Sequence, residues 1–405
     1  MAAIRPVAAL VALTALAAAQ PACAATGPEG GACVLPANRP FEGRPWSLQR
    51  VLLDELWHDT RGEGVRVAVI DTGVDDTHPQ LAGAVVPGAD TLAPGGDGTG
   101  DPVGHGTLVA GIIAARPREG TGFVGLAPGA TVIPVRQNDA RGHGTDASLA
   151  AAVRLAVARR AQVINISQET VGPRAPGAAL GRAVAEAVRR DIVVVASAGN
   201  NGADSTRTPA YPAAFDGVLA VAASDRDNER AAFSRPGSFV DIAAPGVDIV
   251  STAPGRGHCA DSGTSFAAPY VSAVAALMRA KYPHWTATQI AARIEQTAER
   301  SVNGRDDFVG WGVVDPVRAL SGDDAPQDAP HPDEPPPGAR APDPAPLPAA
   351  DTPQRRDRRY AAWAMALTVL LTGAVAGGAA VARERRRRCT ARAEGPPGAG
   401  SAHPR

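Results

Sequence analysis

Lysine is almost missing from this 405-residue chain: Lys281 is the only one among 40 basic residues. Arginine takes its place throughout, a skew of composition that points to no particular chemistry. Net charge is scarce too, −1 at neutral pH, but that value hides a split. Arg355–Arg405 hold eleven arginines against Asp357, Glu384 and Glu394, so this stretch carries +8 while residues 6–354 carry −10. An acidic body excludes nucleic-acid binding, which needs a basic surface. An acidic loop with metal-ligand spacing is missing as well, so no metal and no cofactor is expected. Gly95–Asp101 reads as a flexible Gly/Asp turn. What is present, 44% hydrophobic and 20% charged residues, excludes a wholly disordered or fibrous chain. The length suits one large domain or two ordinary ones.

Two segments read as export and membrane signals. Arg5, the apolar run Val7–Ala19 and the small residues Ala22-Cys23-Ala24 match a signal peptide over residues 1–24, cleaved after Ala24. An apolar run this short spans only about 20 Å as a helix, less than the roughly 30 Å hydrocarbon core of a bilayer. Tyr360–Ala382 is different, with 23 uncharged residues between arginine clusters, and reads as a transmembrane helix. Arginines on both flanks silence the positive-inside rule, so the signal peptide sets the topology. The body is exported, and residues 383–405 form a basic cytoplasmic tail. Gly373 and Gly377 form a GxxxG spacing that suits helix packing. Residues 321–359 read as a linker ending in the juxtamembrane arginines. Within it, Ser321–Gln354 carries eleven prolines and seven acids, so an extended, solvated stalk is expected. A folded body of residues 46–320 remains, preceded by an N-terminal extension, residues 25–45.

Cysteine usage follows that topology. Cys23 leaves with the signal and Cys389 is cytoplasmic, leaving Cys33 and Cys259 as the exported pair. An oxidising compartment then predicts a Cys33–Cys259 disulfide, contributing about 4–5 kcal/mol in the chain-entropy view.

The body alternates strands and helices. Strands are expected at Val65–Ile70, Ala130–Val135, Val163–Ser167, Ile192–Ala198 and Gly217–Ala223. Helices are expected from Thr107–Ala115 and over Ala147–Arg160, Ala178–Arg190, Thr264–Lys281 and Thr286–Ala298. Apolar strands separated by helices imply an α/β fold of three layers, a mostly parallel central sheet covered on both faces. Sites in such folds lie beyond the carboxyl ends of the strands, where Asp71, Ser167 and Asn200 fall.

Serine-based amide hydrolysis needs a hydroxyl, a neutral imidazole, a carboxylate to orient it and donors for the oxyanion. Asp71 follows a buried strand, which suits the orienting carboxylate. His105 opens a helix, which suits a base presented over a crevice. Ser265 lies in GTSFAAP, where a helix N-terminus favours negative charge and small neighbours admit a substrate backbone. The stretches VAVIDTGVDDTHPQL, GHGTLVAGIIAA and GTSFAAPYVSAVAALM resemble the three active-site motifs of the subtilisin-like serine proteases (subtilases), in the order Asp, His, Ser. The resemblance covers about Gly64–Leu320. It implies the subtilisin-like fold, a serine endopeptidase, catalytic Asp71, His105 and Ser265, and Asn200 as oxyanion donor beside the Ser265 N–H. It also implies substrate-binding roles for Ser167, Gln168 and Gly199. Where many subtilases have a small or apolar residue followed by glycine, this chain has Gln168 and Glu169, a bulkier, charged wall that favours a selective protease. His143, in a second His-Gly-Thr, reads as a loop residue, as does His258; Asp75 and Asp76 read as turn or capping residues.

A narrower resemblance rests on PWSLQRVLLDELW, HPQLAGAVVPG, GIIAARPREGTGFVGLAPGATVIPV, ARIEQTAER and VGWGVVDPVRAL. These look like the mycosins, membrane-anchored subtilases of actinobacterial type VII secretion systems, and the order of segments agrees. It implies processing of proteins exported by that system, with the secretion membrane complex as partner. The alternatives are a general surface subtilase and a mainly structural subunit of the complex. The extension is too short for a self-folding inhibitory domain and is expected to stay as a structural part.

Overall fold

The computed structural model describes residues 37–139, 141, 144–169, 177–202, 208–322, 325–333 and 353–393, with side chains in the last stretch over 360–385. The signal sequence, Cys33, His143 and the end of the basic tail lie outside them. Residues up to Glu334 form one compact unit and Pro335–Arg405 a second.

Buried runs of β-branched residues build the sheet. β1 (Arg66–Asp71) and a short β2 (Ala89–Asp90) are followed by β3 (Thr131–Arg136), β4 (Val163–Ile166), β5 (Val193–Ser197), β6 (Val218–Ser224) and β7 (Ile242–Pro245). All seven pair in parallel, in the order β2-β3-β1-β4-β5-β6-β7. Alternation sorts their side chains between two cores. Val67, Val69 and Val195 face one side, while Ala68, Ile70 and Val194 face the other. The helices α1 (Trp46–Gln49), α2 (Leu53–Leu56), α3 (His105–Ala114), α4 (Asp146–Ala158) and α5 (Ala178–Arg189) come first in the chain. α6 (Thr264–Lys281), α7 (Ala287–Gln296) and α8 (Pro316–Leu320) follow. α3 packs with α6 on the first face and α4 with α5 on the second. Capping boxes, Thr145 with Ser148 and Thr286 with Gln289, start α4 and α7.

The chain leaves β1 for β2 and β3 on one side and for β4–β7 on the other, so the sheet changes direction at the carboxyl end of β1. That is where a crevice opens in such sheets, and Asp71 ends β1.

Several features differ from the sequence expectation. An antiparallel hairpin, β8 (Ile249–Thr252) and β9 (His258–Asp261), leads into α6. His258 is therefore a strand residue rather than a loop residue. Its Nδ1 accepts from Phe41 N at 2.9 Å and its Nε2 meets Gln80 Oε1 at 2.7 Å, because residues from three distant segments close over it. The extension runs beside this hairpin: Ala37 N donates to Pro254 O and His258 N to Arg39 O. Cys259 is disulfide-bonded, while Cys33 lies outside the described residues. The start of the expected stalk also lies on the body, with Gln289 donating to Asp328, His331 N to Gln296, and Arg300 pairing with Asp333. Asp101, expected in a flexible turn, is a structural hub.

In the second unit, α9 (Pro353–Ala393) contains Tyr360–Arg385, one helix long and apolar enough to cross a membrane. Thr368 and Thr372 donate to the carbonyls one turn back, at Ala364 and Thr368, so neither hydroxyl is left unpaired on an apolar surface.

Candidate active site

Asp71 is fully buried, and its carboxylate accepts from His105 Nδ1 at 2.8 and 3.0 Å. Thr72 N adds a second donor at 2.7 Å. This arrangement puts the imidazole proton on Nδ1 and leaves Nε2 as the lone-pair nitrogen. Burial alone would make His105 less basic, but the charge and hydrogen bond of Asp71 outweigh it, with Asp101 and Asp261 adding to the effect. The net result is a His105 pKa above its ordinary value.

Asp101 carries the mechanical load beneath this pair. One oxygen accepts from Thr72 Oγ1 at 2.8 Å and Gly104 N at 2.7 Å; the other accepts from Thr107 N at 2.8 Å and Thr107 Oγ1 at 2.6 Å. It thereby caps the first turn of α3 and ties that turn to the residue after Asp71. Sequence reasoning missed it. The available signal was an acid four residues before a helix-opening histidine.

Ser265 lies in the first turn of α6, 9% exposed, with the His105 ring 5.2 Å from that of Phe266. Its N–H belongs to the first helical turn, whose donors have no intrahelical acceptor. Its carbonyl is free for a different reason: Pro269, one turn on, has no N–H to give it. Ser167 Oγ takes that carbonyl at 2.8 Å. Asn165 Nδ2 donates to Ser167 and Ser272 Oγ to Asn165 Oδ1, so a buried polar chain joins β4 to α6. No hydrogen bond joins Ser265 Oγ to His105 among the described residues. Without substrate such contacts are often long and close in the reacting complex.

Asn200 follows β5. Its Oδ1 accepts from Thr264 N and Thr264 Oγ1, both at 2.9 Å, which turns Nδ2 the other way. A Cβ on Gly263 would come 3.0 Å from Ser265 Oγ and 3.4 Å from Asn200 Nδ2. Glycine therefore keeps open the space between a hydroxyl and an amide donor. Thr264, unremarked in the sequence, sets the side chain of Asn200.

Gln168 and Glu169 follow β4, and Glu169 reaches across to the end of β5. Its carboxylate accepts from Asn200 N at 3.4 Å and pairs with Arg235 at 3.3 Å. It lies against Gly199, which has a φ of +99° and where a Cβ would come within 2.2 Å of the carboxylate. Arg235 N donates to Gly199 O at 2.9 Å, closing the link between the two strand ends. Asp75 accepts from Thr77 and from Gly255 N, a turn role as expected. Among the described residues no cluster of His, Cys, Asp and Glu is arranged to hold a metal ion.

A carboxylate-held imidazole beside a serine at a helix N-terminus, at the switch point of a parallel sheet, defines the class of serine hydrolases. A sequence profile of the Subtilase family matches residues 62–312, and the chain belongs to that family of serine proteases. Mycosin-4 of Mycobacterium tuberculosis is 40% identical over 377 residues, 83% of this chain and 81% of that protein. Subtilisin Savinase of Lederbergia lenta is 39% identical over 271 residues, 67% of this chain and 96% of that one. Among solved structures, MycP1 with its N-terminal propeptide removed has a TM-score of 0.64 at 35% identity, covering 70% of this chain and 99% of that chain. The MycP3 protease from the type VII (ESX-3) secretion system has a TM-score of 0.62 at 36% identity, covering 72% and 91%. The fold is subtilisin-like, as the three motifs imply.

Proposed function

We propose that this chain is a membrane-anchored, extracytoplasmic serine endopeptidase that processes proteins exported by a type VII secretion system. The observation that carries the chemistry is the two-pronged Asp71–His105 contact beside the open space at Ser265, Gly263 and Asn200. Ser265 Oγ attacks the scissile carbonyl while His105 Nε2 takes its proton. Asp71 holds the tautomer and stabilises the imidazolium. The oxyanion sits between Asn200 Nδ2 and the Ser265 N–H, His105 returns the proton to the leaving amine, and water repeats the sequence on the acyl-enzyme.

The cellular setting rests on likeness to a mycosin over more of the chain than the protease profile spans, and to a protease described as part of a secretion system. Tyr360–Arg385 supplies the anchor, with residues 1–24 as the signal and the C-terminus cytoplasmic. A Cys33–Cys259 disulfide secures the extension beside the β8–β9 hairpin.

Labelling of the full chain by a serine-directed fluorophosphonate tests the chemistry: Ser265 labels in the wild type and Ser265→Ala does not. Mapping the bonds cut in co-expressed exported proteins by the two forms tests the setting. Identical cleavage patterns with and without Ser265 would reject it.

A further inference from the structure

Asn200 stands just beyond the support of the sheet. β5 ends at Ser197, and its backbone ladder to β6 runs out with Ala198 N donating to Val221 O. Asn200 is itself exposed, yet its amide must stay fixed beside Ser265 if it is to act there. Three contacts take over from the ladder. Gly199 N donates to Thr264 Oγ1 at 3.1 Å, Gly199 O accepts from Arg235 N at 2.9 Å, and Asn200 N donates to Glu169 at 3.4 Å. Glu169 closes over this peptide only because residue 199 lacks a Cβ, which would come within 2.2 Å of its Oε2.

What holds Glu169 is Arg235. Its Nη1 donates to Thr208 O at 3.3 Å, and its Nη2 lies 3.3 Å from Glu169 Oε2. The two side chains are 9% and 16% exposed, so the pair lies largely out of water. There the attraction is strong, and either charge left alone is costly. Arg235 thus fixes residues 199 and 200 twice, by its own N–H and, through its guanidinium, by Glu169. The cation also has an electrostatic effect. An oxyanion forming beside Asn200 would meet the negative charge of Glu169, and Arg235 offsets that charge.

Resting on the reading of Asn200 as the oxyanion donor, we propose that Arg235 is a positioning residue for the reaction. Through Glu169 it holds the Gly199–Asn200 peptide so that Asn200 Nδ2 meets the oxyanion, and it balances the carboxylate that this hold requires. It acts through Asn200 and not on the reacting atoms.

The test is a double-mutant cycle on the full chain in detergent, read as kcat and KM for a peptide substrate. Arg235→Met keeps the bulk and the backbone N–H but removes the charge. It should lower kcat about tenfold, with KM within about twofold of wild type. Arg235→Lys restores a cation and recovers most of that loss. In an Asn200→Ala chain, Arg235→Met should lower kcat no further. A merely structural role gives the same fractional loss in both backgrounds, and that result overturns the proposal. So does an Arg235→Met chain with wild-type kcat, or a loss confined to KM. If circular dichroism shows that Arg235→Met does not fold, Glu169→Ala is carried through the same cycle with the same expectations. An Asn200→Ala chain with wild-type kcat, or a wild type that neither cleaves peptide nor takes a fluorophosphonate, brings down the underlying reading as well. Losses that simply add, in an active enzyme that needs Asn200, bring down this proposal alone.

Discussion

His105 and His258 are both sheltered imidazoles near the start of α6, and their basicities move in opposite directions. Around His105 three carboxylates, Asp71, Asp101 and Asp261, overcome the effect of burial and raise its pKa. Around His258 burial is unopposed, the nearby His78 adds to it, and the pKa falls to about 4. Shelter from water is common to both, so it does not make a base. Placement of carboxylates does, turning one imidazole into a proton acceptor of raised basicity and leaving the other a neutral bracket between Phe41 and Gln80.

The sharpest way to break the comparison is to remove the carboxylate that separates the two. Asp71→Asn should lower kcat by about 10⁴ by favouring the wrong His105 tautomer, with the fold retained; steady-state peptide hydrolysis and circular dichroism read the two parts. Next comes the donor that acts with that base. Asn200→Ala should lower kcat by roughly 10²–10³ with little change in KM, because it binds charge that develops only in the transition state. An unchanged kcat in the same assay would leave Asn200 an ordinary turn residue.

Changing His258 should move stability instead of chemistry. His258→Leu leaves the buried Gln80 without its partner at Oε1 and should cost about 1–3 kcal/mol, with kcat near wild type; thermal unfolding in detergent measures the loss. Its pH dependence has a definite sign. The folded pKa of about 4 lies below the ordinary 6.5, so the unfolded chain binds more protons between those values. The wild type therefore loses this share of its stability as pH falls from about 6.5 to about 4, and the Leu variant does not. The smallest effect belongs to Asp261→Asn. Removing one of the weaker charges that raise His105 should shift the acid limb of kcat/KM slightly towards lower pH.

The parts legible in the sequence were those encoded within one segment. Val67–Ile70, Val193–Val195 and Val218–Ala223 are apolar runs whose burial follows from composition alone, and the motifs around Asp71, His105 and Ser265 are contiguous. The features that escaped depend on partners far along the chain. β7, β8 and β9 have four residues each, too few for a periodic pattern. His258 reads as a loop residue from its place beside Cys259 and shortly before Ser265, whereas its surroundings come from residues 41, 80 and 123. Gln168 and Glu169 were visible as an unusual wall, but nothing local announced that Arg235 would hold Glu169 across to Gly199.

The missing N–H of Pro269 has a consequence for motion. In an unbroken helix the carbonyl of Ser265 would be tied to its own next turn and would travel with it. Here it is tied through Ser167 to the end of β4, a strand flanked on both sides by others. The nucleophile end of α6 is thus pinned to the sheet by a bond that lies outside the helix's own ladder.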